Sequence, residues 1–195
     1  MISREPSLAS KVPEKEDQKN AINDLCFSPD GSRMVVAVGN RVLVYDAADG
    51  GLLHSLRGHK DTARRGHRKD YLPLSCLLIV YSVSFSKDGK RFASGGADST
   101  VIIWTAKAEG ILKYTHSQSV QRVSYCPGTA KLISCTAVDF GLWSQEQNSV
   151  NKHKVISKIL SCGWSVDGQH LALGFMNGKV SIRDLDGVEK VEIER

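Results

Sequence analysis

The sequence predicts an all-β fold, a partial β-propeller of about four blades with four antiparallel strands each. Three features of the 195 residues predict it. Tight-turn dipeptides recur at Asp30-Gly31, Asp88-Gly89 and Asp167-Gly168, with Pro127-Gly128 in a fourth place. An aromatic residue precedes each turn (Phe27, Phe85, Tyr125 and Trp164), at spacings of 58, 40 and 39 residues. A β-rich run follows each turn: "RVLVYD", "VIIWT", "FGLWS" and "VSIRD". The members Tyr45, Trp104, Trp143 and Arg183 of these runs are spaced 59, 39 and 40 residues apart. A period of ~40 residues with four strands per unit marks propeller blades, whereas solenoid units are usually shorter.

Residues 1–19 read as a disordered leader, with four basic and four acidic side chains in the first 20 residues and few apolar ones. The blades follow at about 20–57, 58–105, 106–144 and 145–195. Both spacing series are too long at the first interval. Removing Ala63 to Ile79, 17 residues, restores them to 41 and 42. The joined text reads "GHKDT" followed by "VYSVSFSKDGKRFASGGADSTVIIW". Residues 63–79 are therefore an insertion within one unit. Loop length alone costs little. The stretch "YLPLSCLLIV", apolar and rich in β-formers, would expose a sticky patch or compete for the first-strand register.

The second unit shows the strand pattern most plainly. In "VYSVSF" Val83 and Phe85 alternate with polar residues. Lys-Asp-Gly then makes a hairpin turn, because Asp and Gly tolerate the positive φ that such turns need. "RFASGG" is a second strand, with small residues where neighbouring strands crowd. "ADST" turns the chain, "VIIW" is an apolar third strand, and "GILKYTH" is the fourth.

Composition excludes several classes. The longest apolar candidate, Leu72 to Phe85, is broken by Pro73 and three serines, short of the ~18 residues that a membrane helix needs. The first 20 residues have no apolar core of a secretory signal. Five cysteines (Cys26, Cys76, Cys126, Cys135 and Cys162) form no C-x-x-C pair and read as free thiols in a reducing compartment. The net charge is +5. Arg64, Arg65, Arg68 and Lys69 against Asp70 supply +3 of it, so no broad basic face is expected and no nucleic-acid partner. "ARRGHRKD" reads as a solvated loop.

These units resemble the WD-repeat family. Gly58-His59 matches its Gly-His pair, and Trp104 its third-strand Trp, though Thr105 replaces the terminal Asp. Tyr45-Asp46 is a softened version in the first unit. The resemblance spans residues 20–195. The runs "RFASGGAD" and "EGILKYTH" are similar, more narrowly, to the amino-terminal propeller of a subunit of intraflagellar transport complex A. That resemblance implies a non-enzymatic protein-interaction scaffold for retrograde ciliary transport, cilium assembly and import of membrane receptors into cilia. It implies other complex A subunits and ciliary membrane cargo adaptors as partners. The implied location is the cytoplasm, the cilium and the ciliary base. A WD-repeat substrate receptor or scaffold in another assembly, such as a ubiquitin ligase or a chromatin complex, is the alternative.

His59, Ser94 and Asp98 are also the residue types of a catalytic triad, and a serine hydrolase is a third reading. No G-x-S-x-G elbow accompanies them. The WD-repeat resemblance implies instead a buried hydrogen-bonded chain through His59, Ser94, Asp98 and Trp104. Such a chain is stable only when every member is satisfied. The third unit offers His116, Ser134, Asp139 and Trp143, with Asp139 too near the Trp, and is expected to keep the network poorly. In the fourth, Asn177 and Arg183 replace Asp and Trp beside His153. Apolar packing of Ile159, Trp164, Leu171, Leu173, Val180 and Ile182 should carry that blade. His54, His59, His67 and Cys76 lie within 23 residues but lack paired spacing, so no zinc is expected. No Gly-rich run opens a helix, so no phosphate cradle and no cofactor are expected.

Overall fold

The computed structural model describes residues 21–59, 79–146 and 149–194. These form sixteen strands in four separate antiparallel sheets, without a helix. The first sheet holds β1 (Ile22–Phe27), β2 (Arg33–Val38), β3 (Arg41–Asp46) and β4 (Leu52–Leu56). The second holds β5 (Val80–Phe85), β6 (Arg91–Gly96), β7 (Thr100–Thr105) and β8 (Gly110–Thr115). The third holds β9 (Arg122–Tyr125), β10 (Leu132–Cys135), β11 (Asp139–Ser144) and β12 (Ser149–Lys154). The fourth holds β13 (Ile159–Trp164), β14 (Leu171–Phe175), β15 (Val180–Arg183) and β16 (Glu189–Ile193). Each sheet is an up-and-down meander in chain order. The first strands pack side by side, β1 on β5, β5 on β9 and β9 on β13.

Gly110–Thr115, read from the sequence as the fourth strand of the second unit, pairs with β7 through Ile103 opposite Leu112 and Val101 opposite Tyr114, so the second sheet runs past the 105/106 limit of the repeat. The sequence repeat ends at the third strand because its signature Trp lies there. The hydrogen-bonded unit ends one strand later. The leader 1–19 lies outside the described residues, as does the insertion 63–79 but for Ile79.

The recurrent Asp-Gly turns close by local chemistry. The Ser86 hydroxyl donates to Asp88 at 2.6 Å, and the Arg91 amide donates back to Ser86 at 3.0 Å. Ser28 with Asp30 and Ser165 with Asp167 repeat this bond, each at 2.5 Å. Gly31, Gly89 and Gly168 take φ of 71°, 65° and 70°, which a residue with a Cβ enters at a cost.

The core lies between sheets, in three layers. Val35, Ala37, Val42 and Val44 of the first sheet meet Val80, Val83, Phe92 and Trp104 of the second. Ala93, Val101 and Ile103 meet Val123, Tyr125, Leu132 and Trp143 of the third. Ile133, Cys135, Phe140 and Leu142 meet Ile159, Leu171 and Leu173 of the fourth. An alternating strand has two faces, so each inner sheet contributes one to each neighbour.

Candidate functional site

The structure brings His59, Ser94, Asp98 and Trp104 together. His59 precedes β5, Ser94 sits in β6, Asp98 in the β6–β7 turn and Trp104 in β7. His59 Nδ1 lies 2.9 Å from Asp98 Oδ1, and its Nε2 lies 2.8 Å from Ser94 Oγ. The Trp104 indole donates to Ser94 Oγ at 2.9 Å. The Thr100 amide donates to Asp98 at 3.1 Å. A neutral imidazole protonated on Nδ1 satisfies the chain in one direction. The indole donates to Ser94, the Ser94 hydroxyl to His59 Nε2, and His59 Nδ1–H to the carboxylate. Burial pushes the Asp98 carboxyl up. The His59 hydrogen bond, with the Thr100 contacts, outweighs that and holds it below the ordinary carboxylate value.

Gly58 explains half of the Gly-His pair. A Cβ there would lie 2.7 Å from both the Trp104 ring and Ile102 Cδ1. The indole reaches Ser94 only because position 58 carries no side chain.

The Ser–His–Asp geometry is that of a triad, but its setting is closed. Ser94 is 0% exposed, His59 4% and Asp98 7%. The Trp104 indole and His59 already engage the hydroxyl. A shallow groove of about 340 Å³ lies elsewhere, lined by Phe27, Pro29, Phe85, Lys87, Tyr125 and Pro127.

The third sheet departs from the sequence expectation. His116 Nδ1 lies 2.8 Å from Asp139 and Nε2 lies 2.8 Å from Ser134 Oγ. The network forms because the Thr136 hydroxyl, bonded to Asp139 at 2.6 Å, helps fix the carboxylate in the shorter β10–β11 turn. Its aromatic donor is different. The Tyr114 hydroxyl donates to Ser134 at 3.0 Å, while the buried Trp143 Nε1 finds no partner among the described residues. Tyr114 faces Val101 in the register where Leu56 faces Val42. An apolar Leu56 leaves Ser94 to the indole; the phenol at Tyr114 takes Ser134. That tyrosine is the network member the motif reading missed. Its signal was a phenol at the position where the preceding unit carries leucine.

The fourth sheet keeps no such network. Leu173 holds the register position of Ser94 and is fully buried with Leu171. Ile159, Leu171 and Leu173 pack with partly buried Trp164. Val180 and Ile182 are half-buried and lie outside that cluster. Asn177 turns back to accept from the Lys179 amide at 3.3 Å. His153 stacks on Phe140 at 4.8 Å between centroids, with the Arg183 guanidinium also 5.2 Å from that ring.

Of the residues weighed as metal ligands, His67 and Cys76 lie outside the described residues. Among the described residues no cluster of three or more His, Cys, Asp or Glu could hold a metal, and no helix is long and apolar enough to cross a membrane.

Four-stranded meanders packed face to face, with buried His–Ser–Asp links, define a WD-repeat β-propeller, here a partial one. A WD domain, G-beta repeat model matches residues 12–46. The solved β-propeller domain of Myceliophteria thermophila Cps50 (Swd1) superposes with a TM-score of 0.73 at 14% identity, covering 92% of this chain and 56% of that one. At that identity the likeness concerns the fold alone. The family described as IFT122 first beta-propeller matches residues 78–195, and the chain belongs to it. Intraflagellar transport protein 122 homolog of Danio rerio is 57% identical over 190 residues, covering 97% of this chain and 15% of that protein. The Homo sapiens protein of the same name is 54% identical over 181 residues, covering 93% of this chain and 13% of its own length. The chain thus spans about one-seventh of the curated relatives it matches.

Proposed function

We propose that the chain is a non-enzymatic protein-interaction scaffold of intraflagellar transport, acting as a subunit, or part of one, of complex A. Its work is retrograde ciliary transport, cilium assembly and import of membrane receptors into cilia. Its partners are other complex A subunits and ciliary membrane cargo adaptors, met in the cytoplasm, at the ciliary base and in the cilium. The observation that carries this reading is the 57% identity across nearly the whole chain to a protein named for intraflagellar transport. The geometry supports the scaffold half of it. His59, Ser94 and Asp98 are buried and bonded to one another and to Trp104, so these four residues serve to fix strands. Fold alone does not decide function; the family membership supports the reading here.

The test is affinity purification of a tagged chain from ciliated cells. Recovery of complex A subunits is the expected result. Recovery of ubiquitin-ligase or chromatin subunits in their place would replace the reading with the other-assembly alternative.

A further inference from the structure

Two cysteines meet between the third and fourth sheets. Cys135 of β10 is 2% exposed, and half-buried Cys162 of β13 packs on the same core cluster. Both are free thiols. We propose that Cys135 and Cys162 form a reversible oxidation site, at which a peroxide closes the two thiols into a disulfide that staples the third sheet to the fourth.

Strand register supports the pairing. Cys135 follows the network serine Ser134 as Gly95 follows Ser94. Cys162 lies opposite Leu173, as Val123 lies opposite Ser134 and Val83 opposite Ser94. Between the third and fourth sheets the cysteines therefore stand where Gly95 and Val123 stand between the second and third. There the sheets come so near that a Cβ on Gly95 would lie 2.9 Å from Val123 Cγ1. Between the first and second sheets the same places hold Ala37 and Val83, which share one core cluster. A disulfide needs Cβ atoms ~3.5–4.5 Å apart, and the approach at this place is of that order.

The two thiols are unequal in a useful way. Hydrogen bonding from the Cys135 thiol, with the charge of Arg122, outweighs burial and holds Cys162 below the ordinary thiol value. Hydrogen bonding to Cys162, followed by burial, pushes Cys135 up. The thiolate is the nucleophile in such chemistry, so Cys162 attacks and Cys135 resolves. The other described cysteines are less suited. Burial and the charge of Asp24 push Cys26 up to about 12. Cys126 is buried, and its thiol donates to the Gly168 carbonyl at 3.3 Å.

The reaction has two steps. The Cys162 thiolate attacks one oxygen of the peroxide, the O–O bond breaks, and the leaving hydroxide takes a proton to become water. Cys162 is then a sulfenic acid. The Cys135 sulfur gives up its proton and attacks the Cys162 sulfur. The S–S bond forms, the S–O bond breaks, and the hydroxide leaves with that proton as a second water. Two thiols lose two electrons together, and one hydrogen peroxide is reduced to two waters. A dithiol reductant reopens the bond by thiol–disulfide exchange.

Treatment of the chain with hydrogen peroxide, alkylation of the remaining thiols and digestion without reduction read the pairing by mass. A peptide pair linked through Cys135 and Cys162 should appear, lighter by two hydrogen atoms than the separate peptides, and dithiothreitol should open it. In urea that preference should vanish, because it rests on the folded joint. Cys135→Ala and Cys162→Val carry the residues found between the first and second sheets, so both should fold, and each should abolish the link. Dimedone should trap Cys162 as a sulfenic acid in Cys135→Ala and leave Cys135 unlabelled in Cys162→Val. The oxidised parent should melt above the reduced one, since the bond constrains the unfolded chain. Mapping of the parent needs no variant and decides the proposal by itself if either variant fails to fold. Cys135 and Cys162 both still alkylated after peroxide would overturn it. So would linkage to Cys26, Cys76 or Cys126 in their place, the same pairing in urea, or a lower melting temperature on oxidation.

Discussion

His59 Nε2 and Ser94 Oγ lie 2.8 Å apart across 35 residues of sequence, in a contact sealed from solvent. The bond ties the segment entering the second sheet to its second strand. Ser94→Ala would leave both the Trp104 indole and His59 Nε2 buried without that partner. Leaving buried polar groups unsatisfied costs ~1–3 kcal/mol. Urea denaturation should show a loss of that order. A serine-reactive fluorophosphonate probe should leave the parent chain unlabelled; labelling at Ser94 would revive the hydrolase reading.

The two buried tryptophans should answer differently to the same change. Trp104→Phe removes a donor that Ser94 accepts at 2.9 Å, and should cost ~1–2 kcal/mol through the lost bond. Trp143→Phe removes an N–H with no partner among the described residues, so the hydrogen-bond part of the cost should vanish. Trp104→Ala should be among the most damaging single changes, at ~3–5 kcal/mol. Equal losses for the two phenylalanine variants would contradict the assignment of Tyr114 as donor to Ser134.

Stability should fall on mild acidification. Burial holds the imidazoles of His116 and His153 below their ordinary value. A group depressed in the folded chain takes up its proton more readily when unfolded. Its contribution is therefore complete above the unfolded pKa of ~6.5 and is lost as pH drops toward the folded value. The carboxyls of Asp98 and Asp139 are also depressed, their hydrogen bonds outweighing burial. They act only further down, below ~3.9. Urea midpoints should decline from about pH 7 to about pH 5. His116→Gln should start less stable and show a shallower slope. An unchanged slope in that variant would assign the pH dependence elsewhere.

Gly95 tests the close approach of the second and third sheets. A Cβ there would lie 2.6 Å from Val120 Cγ1 and 2.9 Å from Val123 Cγ1. Gly95→Ala should cost ~1–3 kcal/mol, the usual penalty of overpacking. Gly163 has nothing within 4 Å of such an atom, and Gly163→Ala should be neutral or up to ~1 kcal/mol better. Thermal melts of the two variants in dilute solution decide this; a neutral Gly95→Ala would mean the sheets can move apart freely.

Deleting residues 63–79 should raise soluble yield and melting temperature while partners are still recovered. The deletion joins Thr62 to Val80 and restores the unit length. It takes away the Ile79 carbonyl that accepts the Ala97 amide at 2.8 Å, and Thr62 becomes the residue before Val80. Loss of a partner on deletion would make the segment a binding loop.

The sequence by itself determined the sheets. Alternation of apolar residues sets which side of a strand is buried. Ser-x-Asp-Gly sets where a hairpin closes, because its bonds span only a few residues. The Gly58-His59 pair and the spacing of Ser94, Asp98 and Trp104 pointed to one polar network, since that unit follows the family pattern closely. Only the tertiary structure decided what depends on neighbouring sheets. The third network survives because Tyr114, two residues before His116, comes from the outer strand of the preceding sheet. No distance along the chain reveals that its hydroxyl, and not the Trp143 indole, reaches Ser134. The exposure of Leu25 and Ala172 among the described residues is likewise a matter of packing. The same alternating pattern makes an interior surface in the second sheet and an open one in the fourth, and the difference is whether another sheet lies against it.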